Sequence, residues 1–99
     1  MEAHQILKHT SILEKAADIL FRIVDNEAII VHIDTNEVLV LNEVGARVVE
    51  IMEKPTSVGD LLAQLIEEFD VEMEVLEADI FKHLEELLTE KVLVYHSRS

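Results

Sequence analysis

Apolar residues in the first half of the chain come in short runs that are typical of β-strands. The runs cover residues 19–24, 28–33 and 37–41 and are rich in Ile and Val. Polar stretches at residues 25–26 and 34–36 separate the runs and contain the Asp and Asn residues that turns favour. Three β-runs joined by two short loops predict an antiparallel meander.

The second half of the chain has helical spacing, with apolar residues three or four positions apart. This spacing predicts one helix over residues 43–53 with Asn42 as its N-cap, a second helix after Ser57, and a third over residues 73–89. Pro55 ends the first helix, because the residue before a proline is disfavoured in the α conformation. The stripes predict these core side chains: Val44, Val48, Ile51, Met52, Leu61, Leu62, Leu65, Ile66, Phe69, Met73, Leu76, Ile80, Leu84, Leu87 and Leu88, with Phe81 beside them.

The two ends of the chain are less clearly patterned. Residues 1–15 are compatible with a short helix or with a mobile N-terminal arm. Residues 92–95 predict a short final strand, and residues 96–99 are a polar tail. The predicted order is β-β-β-α-α-α, so we expect an α+β domain over residues 16–95, with a three-stranded antiparallel sheet followed by three helices.

Composition limits the classes of partner. With 99 residues, 49% of them hydrophobic, the chain has room for one domain with a small core. Its 21 acidic and 8 basic residues give a formal net charge of −13, which repels phosphate backbones and anionic lipid, so we expect no nucleic-acid and no membrane partner. Cysteine, an apolar run of membrane length and a signal-peptide pattern are all absent from the sequence, which is typical of a cytoplasmic protein.

Residues that could support catalysis or metal binding lack the spacing that such sites need. The five histidines include no i, i+4 pair, and the acidic residues between positions 67 and 77 lack the EF-hand pattern. With only two glycines, the chain has no phosphate-binding loop, dinucleotide-binding fingerprint or nucleophile elbow. We therefore expect no enzymatic activity, no cofactor and no metal site.

A small sheet with three helices also suggests a winged helix-turn-helix, whose third helix usually reads DNA. Residues 72–89 hold six acidic residues and one basic residue, Lys82. A helix that approaches phosphates needs the opposite balance. We therefore retain the winged helix-turn-helix as an expected fold. We do not expect the DNA binding that usually accompanies this fold.

The strand of residues 37–41 is the candidate binding element. Alternation predicts that Leu39 and Leu41 face the core and that Val38 and Val40 face the other side, towards a groove or a covering element. If the strand lies at the sheet edge, its free backbone groups can pair with another strand. The edge can equally be covered by the N-terminal arm or by a second copy of the chain. Two functions stay open: a peptide-binding adaptor, and a structural or regulatory protein that self-associates.

Several short motifs lie in a characteristic order between residues 16 and 95. They are Phe21-Arg22, Glu27, Asp34, Leu41-Asn42-x-x-Gly45, residues 56–62, Phe69-Asp70-Val71, Asp79, Leu87 and Val92-Leu93-Val94. With these motifs the chain resembles the PqqD family, the small proteins of pyrroloquinoline quinone biosynthesis. Their wider relatives are the RiPP recognition elements, which serve ribosomally made, post-translationally modified peptides. The family often has an aromatic residue in the first helix, where this chain has Val48 and Val49.

The resemblance implies the family's fold, which is like a winged helix-turn-helix, and its function of binding peptides. Members hold the leader of a precursor peptide and present it to a modifying enzyme, often a radical S-adenosylmethionine enzyme. The peptide is expected to add beside the third predicted strand, in a groove walled by the third helix. The chain is expected to be a monomer or a homodimer. The peptide-binding residues that the resemblance implies are Glu37, Val38, Leu39, Val40, Leu41, Val75, Asp79, Lys82 and His83.

Asn42 and Gly45 form a structural motif at the end of the third predicted strand. We interpret Asn42 as the N-cap of the first helix. Gly45 weakens the helix by about 1 kcal/mol relative to Ala. We interpret its missing side chain as the feature that lets the helix approach the sheet closely.

Overall fold

A computed structural model of the chain describes residues 6–96. The strands are β1 (Ile12–Lys15), β2 (Ile19–Val24), β3 (Glu27–His32), β4 (Val38–Leu41), β5 (Thr56–Ser57) and β6 (Leu93–Tyr95). The helices are α1 (Glu43–Ile51), α2 (Val58–Glu68) and α3 (Met73–Thr89). The three predicted helices and the α+β class are confirmed.

The predicted meander forms one antiparallel sheet in the order β2-β3-β4. The turn between β2 and β3 consists of Asp25 and Asn26, whose φ angles are 51° and 68°. Asp and Asn adopt this left-handed conformation more readily than most residues, and two such residues make the tight turn that matches the twist of paired strands. The pairing places Phe21 opposite Ile30, and Ile30 opposite Leu39.

A second antiparallel sheet, in the order β5-β1-β6, corrects the expectation of a single sheet. The sequence leaves a short helix or a mobile arm open for residues 1–15, whereas in the structure Ile12–Lys15 form the central strand of this sheet. Leu13 lies opposite both Thr56 and Tyr95. The pattern missed this sheet because its strands are very short and come from three distant parts of the chain. Residues 1–5 of the arm and 97–99 of the tail lie outside the described residues.

Polar caps begin the first two helices. The Gly45 N–H donates to Asn42 Oδ1 at 2.9 Å, and the Asp60 N–H donates to Ser57 Oγ at 3.1 Å. These bonds satisfy backbone N–H groups that have no partner within their helices. The N-cap predicted at Asn42 is confirmed, and Ser57 caps the helix predicted to follow it. Helix α1 ends at Ile51, slightly earlier than predicted.

One aliphatic core joins both sheets and all three helices. Its largest fully buried side chains are Leu13, Ile30, Val48, Val49, Met52, Val58, Leu61, Leu65, Ile80, Leu84, Val92 and Leu93. Each such side chain contributes about 1.5–3 kcal/mol by burial. The predicted helical stripes are confirmed at most positions. Met73 is an exception, because it lies in the first turn of α3 beyond the core and is 42% exposed.

Residues 6–11 pack against α2 and one side of α3. The Gly59 N–H donates to the His9 carbonyl, and the Val58 N–H donates to the Ser11 carbonyl, both at 2.9 Å. The His9 ring contacts the Glu77 carboxylate. It also meets the Phe81 ring edge-on, with 5.3 Å between centroids. This segment therefore covers the side of α3 that carries Glu77 and Phe81.

Candidate functional site

β4 is an edge strand, because within residues 6–96 it pairs with β3 and with no other strand. In an antiparallel ladder, opposite residues alternate between pairs that exchange hydrogen bonds and pairs that do not. The His32 N–H donates to the Glu37 carbonyl at 2.9 Å, so the pair just before β4 is a hydrogen-bonded one. It follows from the register that the two leucines of β4 bond to β3 and the two valines do not.

The backbone groups of those valines, Val38 and Val40, therefore point away from β3 and beyond the sheet edge. The hydrogen bonding of β3 on its other side, towards β2, supports this alternation of bonded and non-bonded pairs. The Ile33 N–H donates to the Asp18 carbonyl at 3.0 Å, so the odd-numbered positions of β3 bond to β2 rather than to β4. An added strand would find the N–H and C=O groups of two residues at alternate positions, which is the spacing that strand addition requires.

The side chains of β4 alternate between the core and the outside of the sheet. Leu39 and Leu41 pack against the core, as predicted. Val38 and Val40 are 60% and 61% exposed on the opposite face. Leu39 and Leu41 pack against the same core cluster as the buried side chains of α3, and the two valines lie on the face of the strand away from that cluster.

The outer face of the β2-β3-β4 sheet is mainly apolar across all three strands. This outer face carries two charged residues, Arg22 and Glu27, and otherwise consists of Leu20, Val24, Ile29, Val31, Val38 and Val40. Val38 lies opposite Val31, which lies opposite Leu20, and Leu20 is 60% exposed. The sequence analysis did not identify this surface. Its signal was the run Ala28-Ile29-Ile30-Val31, which is apolar at every position and therefore on both faces of the strand.

The predicted helical wall of the site lies on one exposed side of α3. Val75, Asp79 and Lys82 follow i, i+4, i+7 spacing and are exposed. His83 lies half-buried at the margin of this side, with its Nε2 atom 3.7 Å from Asp79 Oδ2. The structure thus brings all four residues onto one surface, on the side of α3 away from His9.

A cavity of about 290 Å³ connects the start of β4 with the end of α3. Glu37, the residue before β4, and Glu90, the residue after α3, both line it. Glu90 follows His83 by two helical turns, so the cavity continues the side of α3 that carries His83. Glu37 is the predicted site residue that lines this cavity, and the four predicted residues of α3 do not line it.

Gly45 lies where α1 leaves β4. A Cβ atom at this position would lie 3.2 Å from Leu41 Cβ and 3.5 Å from Asn42 Oδ1. A 3.2 Å separation is tighter than most carbon contacts, and the Leu41 Cβ is fixed to the backbone. The close approach predicted for Gly45 is therefore with the end of β4, which supports the packing interpretation.

An ion pair joins α1 to α2. Arg47 Nε and Nη2 each donate to the Glu68 carboxylate at 2.7 Å, and Arg47 Nη1 donates to Glu50 Oε1 at 3.1 Å. The hydrogen bonds from Arg47 lower the pKa of the Glu68 carboxyl, and those to Glu68 raise the pKa of the Arg47 guanidinium. Elsewhere, burial raises the pKa of the Tyr95 hydroxyl. The ion pair holds the helix that follows β4 in a defined position.

The chemistry available at the site is recognition through backbone and side-chain contacts. Within residues 6–96, no three His, Asp or Glu side chains are close enough together to hold a metal ion. In the same part of the chain, no helix combines the length and apolar character that crossing a membrane requires. The distinctive feature is the edge of β4, which pairs with no strand of residues 6–96 on its outer side.

The fold and this edge define a small α+β domain with an exposed strand beside a layer of helices. The chain belongs to the PqqD family, since the family described as "Coenzyme PQQ synthesis protein D (PqqD)" matches residues 27–93, from the start of β3 to the start of β6. This confirms the resemblance seen in the sequence. No curated protein sequence matches the chain significantly.

A solved structure described as "TbiB1 in Complex with the TbiA(beta) Leader Peptide" is similar to this chain. The TM-score is 0.76 at 19% sequence identity, and the match covers 86% of this chain and 99% of that chain. At this level of identity, the likeness shows that the two proteins share a fold.

Proposed function

We propose that this protein is a peptide-binding adaptor that holds the leader of a ribosomally made precursor peptide and presents it to a modifying enzyme. The observation that carries the proposal is the free edge of β4, where the backbone groups of Val38 and Val40 point outwards. A peptide strand added there gains main-chain hydrogen bonds without disturbing the ladder between β3 and β4. Membership of the PqqD family supports the proposal, as does the likeness in fold to TbiB1, which was solved with a leader peptide.

On this proposal, the peptide lies between β4 and the exposed side of α3. Its contacts are Glu37, Val38, Leu39, Val40 and Leu41 on the strand, and Val75, Asp79, Lys82 and His83 on the helix. Alternate peptide side chains point to opposite faces of the extended sheet. One set approaches the two leucines and α3, and the other set extends the apolar outer face beside the two valines.

The adaptor role requires binding and no catalysis by this chain. The partner enzyme supplies the chemistry, and we propose a radical S-adenosylmethionine enzyme, as the family resemblance implies. The element order α1-β5-α2-α3-β6 supports classing the domain as winged helix-turn-helix-like. A net charge of −13 suits a basic leader or a basic patch on the enzyme, because opposite charges speed association and select partners.

A backbone amide NMR titration with leader segments from short precursor genes of the same genome tests the proposal. We expect the chemical-shift changes to concentrate on residues 37–41 and 75–83. We also expect amide exchange to slow at Val38 and Val40, because these N–H groups gain partners on binding. Shifts confined to the β2 edge, or no shift with any leader segment, would contradict the proposal.

A second function is favoured by the outer face, which continues the apolar surface of β4 across the sheet. A structural or regulatory protein could pair two copies through the β4 edge, joining two outer faces into one surface. Sedimentation over a range of concentrations tests this function. A dimer that excludes every leader segment supports it, and a monomer at all concentrations contradicts it.

A further inference from the structure

Four carboxylates surround the cavity at the start of β4. Asp18 comes from the segment before β2, Asp34 and Glu37 come from the turn between β3 and β4, and Glu90 comes from the end of α3. Lys91 also lines the cavity, but no ion pair joins it to a carboxylate of the described residues. Four carboxylates against one lysine leave a local excess of negative charge at the cavity.

His32 provides an independent observation at the same cavity. Its side chain is only 9% exposed and lines the cavity wall. The ring makes no hydrogen bond within residues 6–96, although two other histidine rings do. No fully buried side-chain nitrogen or oxygen in this part of the chain lacks a partner, so the ring nitrogens of His32 are not sealed from solvent, and the cavity is the pocket that His32 lines. A neutral imidazole presents one acceptor nitrogen, which is available to a donor in the cavity.

The arrangement suits an extended organic cation rather than a metal ion. No three of the acidic and histidine side chains are close enough together to coordinate one ion. The cavity volume of about 290 Å³ is roughly ten times the ~30 Å³ that one water occupies in the liquid. It can therefore hold the end of a long side chain. Arginine offers five N–H donors and lysine three, and both pair with separated carboxylates.

We propose that this acidic cavity, formed by Asp18, His32, Asp34, Glu37 and Glu90, binds an arginine or lysine side chain of the peptide that adds to β4. The inference rests on the proposed function and specifies its ligand. Glu37 directly precedes β4, so the basic residue lies just beyond the part of the peptide that pairs with Val38. The preferred leader is an apolar strand-forming segment followed or preceded, at a fixed distance, by a basic residue.

The test is a selection from a random peptide library on the immobilised full chain, followed by measurement of Kd for the recovered peptides. A cavity variant combines three neutralising changes: Asp18→Asn, Asp34→Asn and Glu90→Gln. A surface variant removes the same amount of charge from exposed positions outside the cavity: Glu53→Gln, Glu67→Gln and Asp70→Asn. Glu37 is left unchanged because its backbone precedes the pairing strand.

We expect the recovered peptides to carry Arg or Lys at a constant distance from their apolar segment. The cavity variant should bind them about fivefold more weakly, and the surface variant within about twofold of the parent chain. Replacing the basic peptide residue by Gln should weaken binding to the parent chain about fivefold and leave binding to the cavity variant nearly unchanged, because the two changes remove one interaction.

The outcomes separate the inference from the function on which it rests. Peptides that bind at β4 without a basic preference would overturn the cavity inference and leave the adaptor function intact. The same holds for equal losses in the cavity and surface variants, which would indicate general attraction to an acidic protein. Recovery of no β4-binding peptide at all would overturn the adaptor function, and the cavity inference with it.

Discussion

Replacing Val40 by proline removes a backbone N–H that the register directs to the free edge of β4. The ladder to β3 loses no hydrogen bond, and the side chain is already 61% exposed. We therefore expect Val40→Pro to lower the free energy of unfolding by about 1 kcal/mol or less, since proline is tolerated at such edge positions. Leu39→Pro instead removes an N–H that bonds to β3 and a half-buried side chain. We expect it to cost about 3 kcal/mol or more.

The effect of Val40→Pro on peptide binding should be much larger than its effect on stability. The peptide loses one main-chain hydrogen bond, which is worth about 0.5–1.5 kcal/mol net. The proline ring also fills the space where the peptide carbonyl would lie, leaving that carbonyl unpaired at a cost of about 1–3 kcal/mol. A combined loss of about 2 kcal/mol corresponds to a Kd about 30-fold higher.

Urea denaturation followed by circular dichroism measures the stability, and fluorescence anisotropy with a labelled leader segment measures Kd. Val40→Thr is the matched control, because it keeps the N–H and the β-branched shape, and we expect its Kd to stay within about twofold of the parent value. If Val40→Pro is as unstable as Leu39→Pro, the hydrogen-bond register is wrong. If Val40→Pro keeps the parent affinity, the peptide does not add at β4.

Three further changes test the parts of the fold that hold β4 in place. Gly45→Leu should lower the free energy of unfolding by about 1–3 kcal/mol, because its Cβ would lie 3.2 Å from Leu41 Cβ; an unchanged thermal midpoint would refute the packing account. Asn42→Ala should lower the free energy of unfolding, measured by urea denaturation, by about 1 kcal/mol. Asn42→Asp should lower it much less, because Asp also caps helices, and equal losses in the two variants would argue against the cap. Glu68→Gln should cost up to about 1 kcal/mol at neutral pH, because the pair with Arg47 is partly exposed. Since the pair lowers the pKa of Glu68, its stabilisation is present above the unfolded pKa of about 4.3 and is lost as the pH falls through the folded pKa. Denaturation at a series of pH values should therefore show parent and variant converging in acid, and a constant difference would contradict the assignment.

Most secondary structure of this chain follows from local patterns in its sequence. The residues Val38-Leu39-Val40-Leu41 are enough to predict which side chains of β4 share a face, because successive side chains of a strand point to opposite faces. The position of α3 is equally visible, because its apolar residues repeat at helical spacing over 17 residues. The Asn42 cap could be predicted because capping involves only residues within one helical turn.

The sequence by itself therefore determined the kind and order of the main elements, the caps of the first two helices, and an acidic surface unsuited to nucleic acid. The family motifs, read from the same letters, pointed to peptide binding. The tertiary structure alone showed that Ile12–Lys15 form the centre of a second sheet, and which backbone groups of β4 remain free. It alone brings Asp18, His32 and Glu90 to one cavity. These features depend on contacts between segments that are far apart in the sequence. Packing of the whole core decides which segments meet, and such contacts leave no periodic pattern within any one segment.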